Sequence, residues 1–182
     1  MAYLILDRDG VINQDSDDYI KNPNEWLPIP GSLKAISNAN RAGFRVIVVT
    51  NQSGLGRGIF DINTLNEMHK KMHKKLARVG GVIEAVFFCP HKPDEGCDCR
   101  KPKAGMLEEI RQRLNISLEK VWYVGDSYTD VQAARSAGAT PVLVRTGKGE
   151  RTLAGNAKHD LGNVPVYSDL AACVDALLQH NN

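Results

Sequence analysis

Stretches that read as buried strands alternate along this chain with stretches of helical periodicity, and few folds accommodate that alternation. Residues 3–6, 44–49, 83–88, 121–124 and 141–144 are apolar-rich runs of strand length, and 164–167 is a shorter sixth. Runs that lack a regular polar alternate suit strands covered on both faces. Between them, Pro30-Gly31-Ser32 opens a helix with Leu33, Ile36 and Ala39 on one side and Gly43 at its end. Residues 62–79 space Leu65, Met68, Met72, Leu76 and Val79 as the longest helix. Gly105–Leu114 sets Met106, Leu107, Ile110 and Leu114 inward, and 129–137 is a small-residue helix stopped by Gly138. Ser168 and Asp169 offer an N-cap to a final helix. The pattern predicts an α/β, doubly wound parallel sheet with right-handed crossovers. Residues 11–30 have no period and read as an irregular excursion, and residues 145–164, rich in glycine and charge, read as loop. There is no internal repeat and no interval long enough for an inserted domain, so the 182 residues read as one domain, 1–182.

In a parallel sheet the carboxyl ends of the strands share one edge, where open α/β sheets bind ligands. The first run ends in Asp7-Arg8-Asp9-Gly10, the second in Thr50-Asn51-Gln52-Ser53-Gly54, and the fourth in Gly125-Asp126-Ser127 with Asp130 four residues on. On its own, Asp7-Arg8-Asp9-Gly10 reads equally well as a turn closing a strand. Set beside the other strand ends it reads as a site. Two close carboxylates repel and call for a cation or a shared proton, and Mg²⁺ suits a few carboxylates plus a phosphate oxygen. One carboxylate can serve as nucleophile and the second as acid/base. Thr50 offers a hydroxyl to a phosphoryl oxygen, and Arg100-Lys101-Pro102 offers the opposing cation.

Cys89, His91, Cys97 and Cys99 fall within eleven positions, a set suited to a closed structural Zn²⁺ site. Unligated thiols, or a Cys97–Cys99 redox pair, are the alternatives. Cys173 reads as a core residue of the last helix. His69 and His73 stand at i, i+4, but Lys70, Lys71, Lys74 and Lys75 surround them, so this face reads as solvated and basic. A formal net charge of +2 and 6% aromatic residues argue against a nucleic-acid partner. No apolar run approaches a membrane span, and the N-terminus has no secretion-signal pattern, so the expected location is the cytoplasm. With no long apolar stripe left over, a monomer is expected.

The four strand-end and basic motifs, in this order, resemble those of the haloacid dehalogenase superfamily across nearly the whole chain. The resemblance implies a Rossmann-like fold, with Asp7 as nucleophile forming an aspartyl-phosphate and Asp9 as acid and then base. It implies that Thr50 and Lys101 stabilise the phosphoryl group, and that Mg²⁺ is held by Asp7, the Asp9 backbone carbonyl and Asp126. For Asp130 two roles stay open, orienting water or capping the following helix. Cys89-Pro90-His91 with Cys97-Asp98-Cys99-Arg100-Lys101-Pro102 further resembles the capless, zinc-containing phosphatases, in which a zinc loop replaces a separate cap domain. These act either on a heptose bisphosphate or on histidinol phosphate. Asp7 to Asn13, the acid-rich stretch to Tyr19, Thr50 to Gly54 and Val144-Arg145-Thr146-Gly147-Lys148 look more like the heptose enzymes. The resemblance implies a small sugar-phosphate substrate that loses its 7-phosphate and is contacted by Asp15, Asp18, Tyr19, Asn51, Gln52, Ser53, Arg100 and Ser127. Three details depart from the pattern: Asp15-Ser16-Asp17-Asp18 before Tyr19, a short His91 to Cys97 interval, and Ser127 where some members carry lysine. A phospho-acceptor receiver domain shares the fold class, but there the acceptor aspartate follows strand three, which here runs into Cys89.

Overall fold

The computed structural model describes residues 2–155 and 160–180. In chain order the elements are β1 (Ala2–Leu6), α1 (Ser32–Arg41), β2 (Phe44–Asn51), α2 (Ser53–Gly56), α3 (Ile62–Ala77) and β3 (Ala85–Cys89). These are followed by α4 (Gly105–Leu114), β4 (Trp122–Gly125), α5 (Tyr128–Ser136), β5 (Thr140–Val144), α6 (Gly149–Ala154), β6 (Val166–Tyr167) and α7 (Leu170–His180). The strands form one six-stranded parallel sheet in the order β3-β2-β1-β4-β5-β6.

The continuous apolar runs follow from burial of this sheet on both faces. Along β1, Leu4 and Leu6 enter one core with Val46, Val48 and Val124, beneath α1, α3 and α7. Ile5 enters the other with Ile47, Val49 and Tyr123, beneath Met106 and Ile110 of α4 and Ala133 and Ala134 of α5. Successive residues of a strand face opposite ways, so neither face can be polar. The chain runs outward from β1 through β2 to β3, then returns to β4 and runs outward the other way. The switch point lies between β1 and β4, where doubly wound sheets open a crevice at their carboxyl ends.

Several boundaries differ from expectation. Helix α3 stops at Ala77, and Val79 lies beyond it, partly exposed. The Gly81 N–H donates to the Leu76 carbonyl (3.1 Å) and Gly80 takes a positive φ of 74°, so the chain reverses two residues early. Pairing in β3 starts at Ala85, not Ile83, although Ile83 is buried. Within 145–164, expected as loop, α6 forms: Thr152 Oγ1 donates to the Asp126 carbonyl (3.0 Å) and Leu153 packs on Leu143 and Val131. Residues 156–159 of that stretch lie outside the described residues. The excursion over 11–30 is irregular as expected but is anchored in the core that holds Leu4 and Leu6, with Val11, Ile12 and Trp26 fully buried.

Candidate active site

At the switch point Asp7 continues β1, its N–H bound to the Val124 carbonyl of β4 (2.9 Å). Lys101, almost wholly buried, reaches under it: Nζ lies 2.9 Å from Asp7 Oδ2, 2.7 Å from Asp130 Oδ1, and donates to the Val49 carbonyl at 3.2 Å. Asn51 fixes the Lys101 backbone reciprocally, accepting from its N–H and donating to its carbonyl, each at 3.1 Å. One carboxylate oxygen from each of Asp7, Asp126 and Asp130 lies within 4.8 Å of the others. Burial pushes Asp7 up to about 7 against the pull of Lys101, with Asp130 and Asp9 adding to the rise. Burial, then Asp130 and Asp7, push Asp126 up to about 8. Burial also works to raise Asp130, but Lys101, Ser127 and Tyr123 outweigh it and hold that carboxyl below the usual range. Three buried carboxylates balanced by one ammonium leave negative charge to spare, which fits a divalent cation.

Asp126 is aimed by the β5–α6 turn. The Lys148 backbone N–H donates to its Oδ2 at 2.7 Å, and the same oxygen would lie 2.0 Å from a Cβ added at Gly10 and 2.1 Å from one at Gly147. Both glycines have positive φ, so the two turns meet backbone to backbone beside the carboxylate. Asp130 also accepts from the Ser127 N–H (3.0 Å) and the Tyr123 hydroxyl (2.9 Å). It therefore caps α5 and pairs with Lys101 through the same carboxylate.

Asp9 sits apart from this cluster. Its carboxylate accepts from Arg8 Nε and Nη2 (3.0–3.1 Å), Asn13 Nδ2 (2.8 Å) and Gln52 Nε2 (2.8 Å). Burial acts to raise Asp9, but Arg8, Asn13 and Gln52 hold it below the usual carboxylate range. Gln52 also donates to Thr50 Oγ1 (2.9 Å), which fixes the buried threonine hydroxyl at the end of β2.

These groups line a cavity of about 430 Å³. Asp15, Tyr19, Asn51, Gln52, Ser53, Arg100 and Ser127 all reach it, as the sequence reading expects. Asp18 does not: it is exposed outside the lining, and its carbonyl accepts from Lys21 Nζ (3.1 Å). The irregular segment takes a φ of 66° at Tyr19, and Asp17, rather than Asp18, lines the wall with Asp15. Asp15 pairs with Lys148 Nζ (2.9 Å) and Asp17 with Arg151 (3.0 Å). Arg57 and Lys148 also line the cavity and were missed. Lys148 follows the end of β5, so extending the strand-end rule to that strand finds it.

His69 is a second correction. Expected on a solvated basic face, it is half-buried against Arg8, its Nε2 3.2 Å from Arg8 Nη1, while His73 is exposed. Burial pushes His69 down to about 4, helped by Arg8 and His73.

The cysteine loop flanks the mouth. Cys89, Cys97 and Cys99 place their sulfurs 3.2–3.6 Å apart, and His91 Nδ1 lies 3.3 Å from Cys99 and 3.6 Å from Cys89. The edge of a Zn–thiolate tetrahedron is about 3.8 Å, so four ligand atoms already gathered this closely fit one small soft cation. Arg100 Nη1 donates to the His91 carbonyl (3.3 Å), which ties the loop to the cavity wall.

Sheet order, switch-point carboxylates and the lysine beneath them are those of a HAD-like hydrolase, and residues 98–173 match the HAD-hydrolase-like family model. The chain is 52% identical to the D-glycero-beta-D-manno-heptose-1,7-bisphosphate 7-phosphatase of Bordetella bronchiseptica over 98% of its length and 99% of the relative's. It is 51% identical to the enzyme of that name from Pseudomonas aeruginosa, over 98% of each chain. Among solved structures, the D,D-heptose 1,7-bisphosphate phosphatase of B. bronchiseptica complexed with magnesium and phosphate superposes with a TM-score of 0.95, covering 99% of each chain at 52% identity. The chain belongs to the family of D-glycero-beta-D-manno-heptose-1,7-bisphosphate 7-phosphatases.

Proposed function

We propose that this protein hydrolyses the 7-phosphate of D-glycero-beta-D-manno-heptose 1,7-bisphosphate. The observation that carries the reading is Lys101, held between buried Asp7 and Asp130 beside Asp126, in a chain about half identical over its full length to enzymes of that name. Asp7, the Asp9 backbone carbonyl and Asp126 hold Mg²⁺, which when bound offsets the carboxylate charge and polarises the phosphoryl group. Asp7 attacks phosphorus, and the bond from phosphorus to the sugar oxygen breaks. The Lys101 ammonium and Thr50 hydroxyl take up charge on the transferring oxygens. Asp9 gives its proton to the departing oxygen; the incoming phosphate dianion raises its pKa and so loads that proton. Asp9 then takes a proton from water as it attacks the aspartyl-phosphate, and Asp7 is regenerated. Cys89, His91, Cys97 and Cys99 would hold a structural Zn²⁺, and the Arg100 bond to the His91 carbonyl ties that loop to the rim.

The lining favours a second anionic group over a cationic one. Arg57 and Arg100 stand along the wall, whereas Asp15 and Asp17 are already engaged by Lys148 and Arg151. A sugar carrying a second phosphate suits those cations better than histidinol phosphate with its amine and imidazole.

Phosphorus NMR of the heptose 1,7-bisphosphate during turnover tests the position of cleavage. The C7 phosphomonoester resonance should give way to inorganic phosphate while the anomeric phosphate persists. Loss of the anomeric resonance first would overturn the assignment.

A further inference from the structure

The side chain of Arg8, between the two active-site aspartates, is only 1% exposed. A guanidinium so deeply buried needs acceptors for its donors. Nε and Nη2 find them on the Asp9 carboxylate. Nη1 finds His69 Nε2 at 3.2 Å. Because arginine only donates, His69 must present a bare Nε2 and carry its proton on Nδ1. The depressed pKa of His69 agrees with a neutral ring, which lies tilted against Phe88 with centroids 6.4 Å apart. A chain of contacts thus runs from α3, which contributes nothing else to the site, through His69 and Arg8 to Asp9.

We infer that His69 and Arg8 are positioning residues for the acid/base: the histidine holds the guanidinium, and the guanidinium fork sets where the Asp9 carboxylate stands relative to the leaving oxygen. The inference rests on the proposed role of Asp9. With one acceptor gone, Arg8 can rotate about its terminal torsions and release one arm of the fork. Gln52 and Asn13 still bind Asp9, so the carboxylate stays in the site but is no longer fixed from beneath. Proton transfer depends on that placement; phosphoryl attack by Asp7, held by Lys101, does not.

Leaving-group dependence separates this from a general structural role. A sugar alkoxide needs a proton in order to leave, whereas 4-nitrophenolate leaves without one. His69→Leu should lower kcat on the heptose bisphosphate by about 10- to 100-fold with KM within about twofold, the range of outer partners of catalytic groups. On 4-nitrophenyl phosphate the same variant should lose less than about threefold. His69→Gln, which restores an acceptor, should recover most of the sugar-phosphate rate. Should His69→Leu fail to fold by circular dichroism, Arg8→Lys, which keeps the charge and loses the fork, reads the same ratio. Equal losses on both substrates, or no loss, would overturn the positioning role. Asp9→Asn is the control: if it too fails to discriminate, the acid/base reading itself fails, and if it alone discriminates, only the roles of His69 and Arg8 are lost.

Discussion

Asp7 and Asp9 are two residues apart and live in opposite electrostatic surroundings. Asp7 meets one ammonium and two carboxylates, whereas Asp9 is saturated by a guanidinium and two amides. Environments that push two carboxyls apart assign them different work. Asp7→Asn should leave folding intact and reduce turnover by about 10⁴-fold or more, as read by phosphate release, since an amide cannot attack phosphorus. Retained activity would remove it as nucleophile. Asp7, Thr50, Lys101 and Asp126 were legible in the sequence because strands end at them or a basic pair precedes a helix. Asp18 lies outside the cavity lining, and residues 11–30 carry no period from which the inward-facing acids could be read. His69 was misread because its lysine neighbours implied solvent, yet Lys71 itself turns back to donate to the Trp26 carbonyl at 2.8 Å.

The cysteine loop is the element most dependent on something other than apolar burial. It holds no regular secondary structure from Pro90 to Ala104, and its sulfurs and imidazole are gathered within hydrogen-bonding range. On the proposed zinc ligand set, Cys97→Ser should take metal content from one per chain to near zero by elemental analysis. Activity should fall with it, because Arg100 and Lys101 directly follow Cys99. Unchanged zinc would contradict the ligand set. The spacing of Cys89, His91, Cys97 and Cys99 made their grouping readable in advance. The short helices α2 and α6 were not readable, because four and six residues are too few for a hydrophobic period, and α6 is secured by Thr152 on Asp126.

At the scale of the whole molecule, the strand order 3-2-1-4-5-6 separates this sheet from the 2-1-3-4-5 order of receiver domains. The alternation of strands and helices could not choose between them, since order depends on which way each crossover turns. The charge trapped at the switch point couples the fold to metal and pH. Asp7 and Asp126 have folded pKa values of about 7 and about 8, above the unfolded carboxylate value. Their contribution to stability is thus full below about pH 4 and is lost as pH rises through 7 and 8. On the proposed ligation by Asp7 and Asp126, Mg²⁺ replaces those protons, so the rise in Tm on adding it should be larger at about pH 9 than at about pH 6. Equal increments in calorimetry would contradict that linkage.

The most direct test is kcat/KM, with Mg²⁺ present, for both anomers of the heptose 1,7-bisphosphate and for histidinol phosphate. The beta bisphosphate should be preferred over histidinol phosphate by at least about a hundredfold, corresponding to about 2.7 kcal/mol of transition-state binding. Equal or greater efficiency on histidinol phosphate would contradict the substrate assignment while leaving the roles of Asp7, Asp9, Thr50 and Lys101 in place.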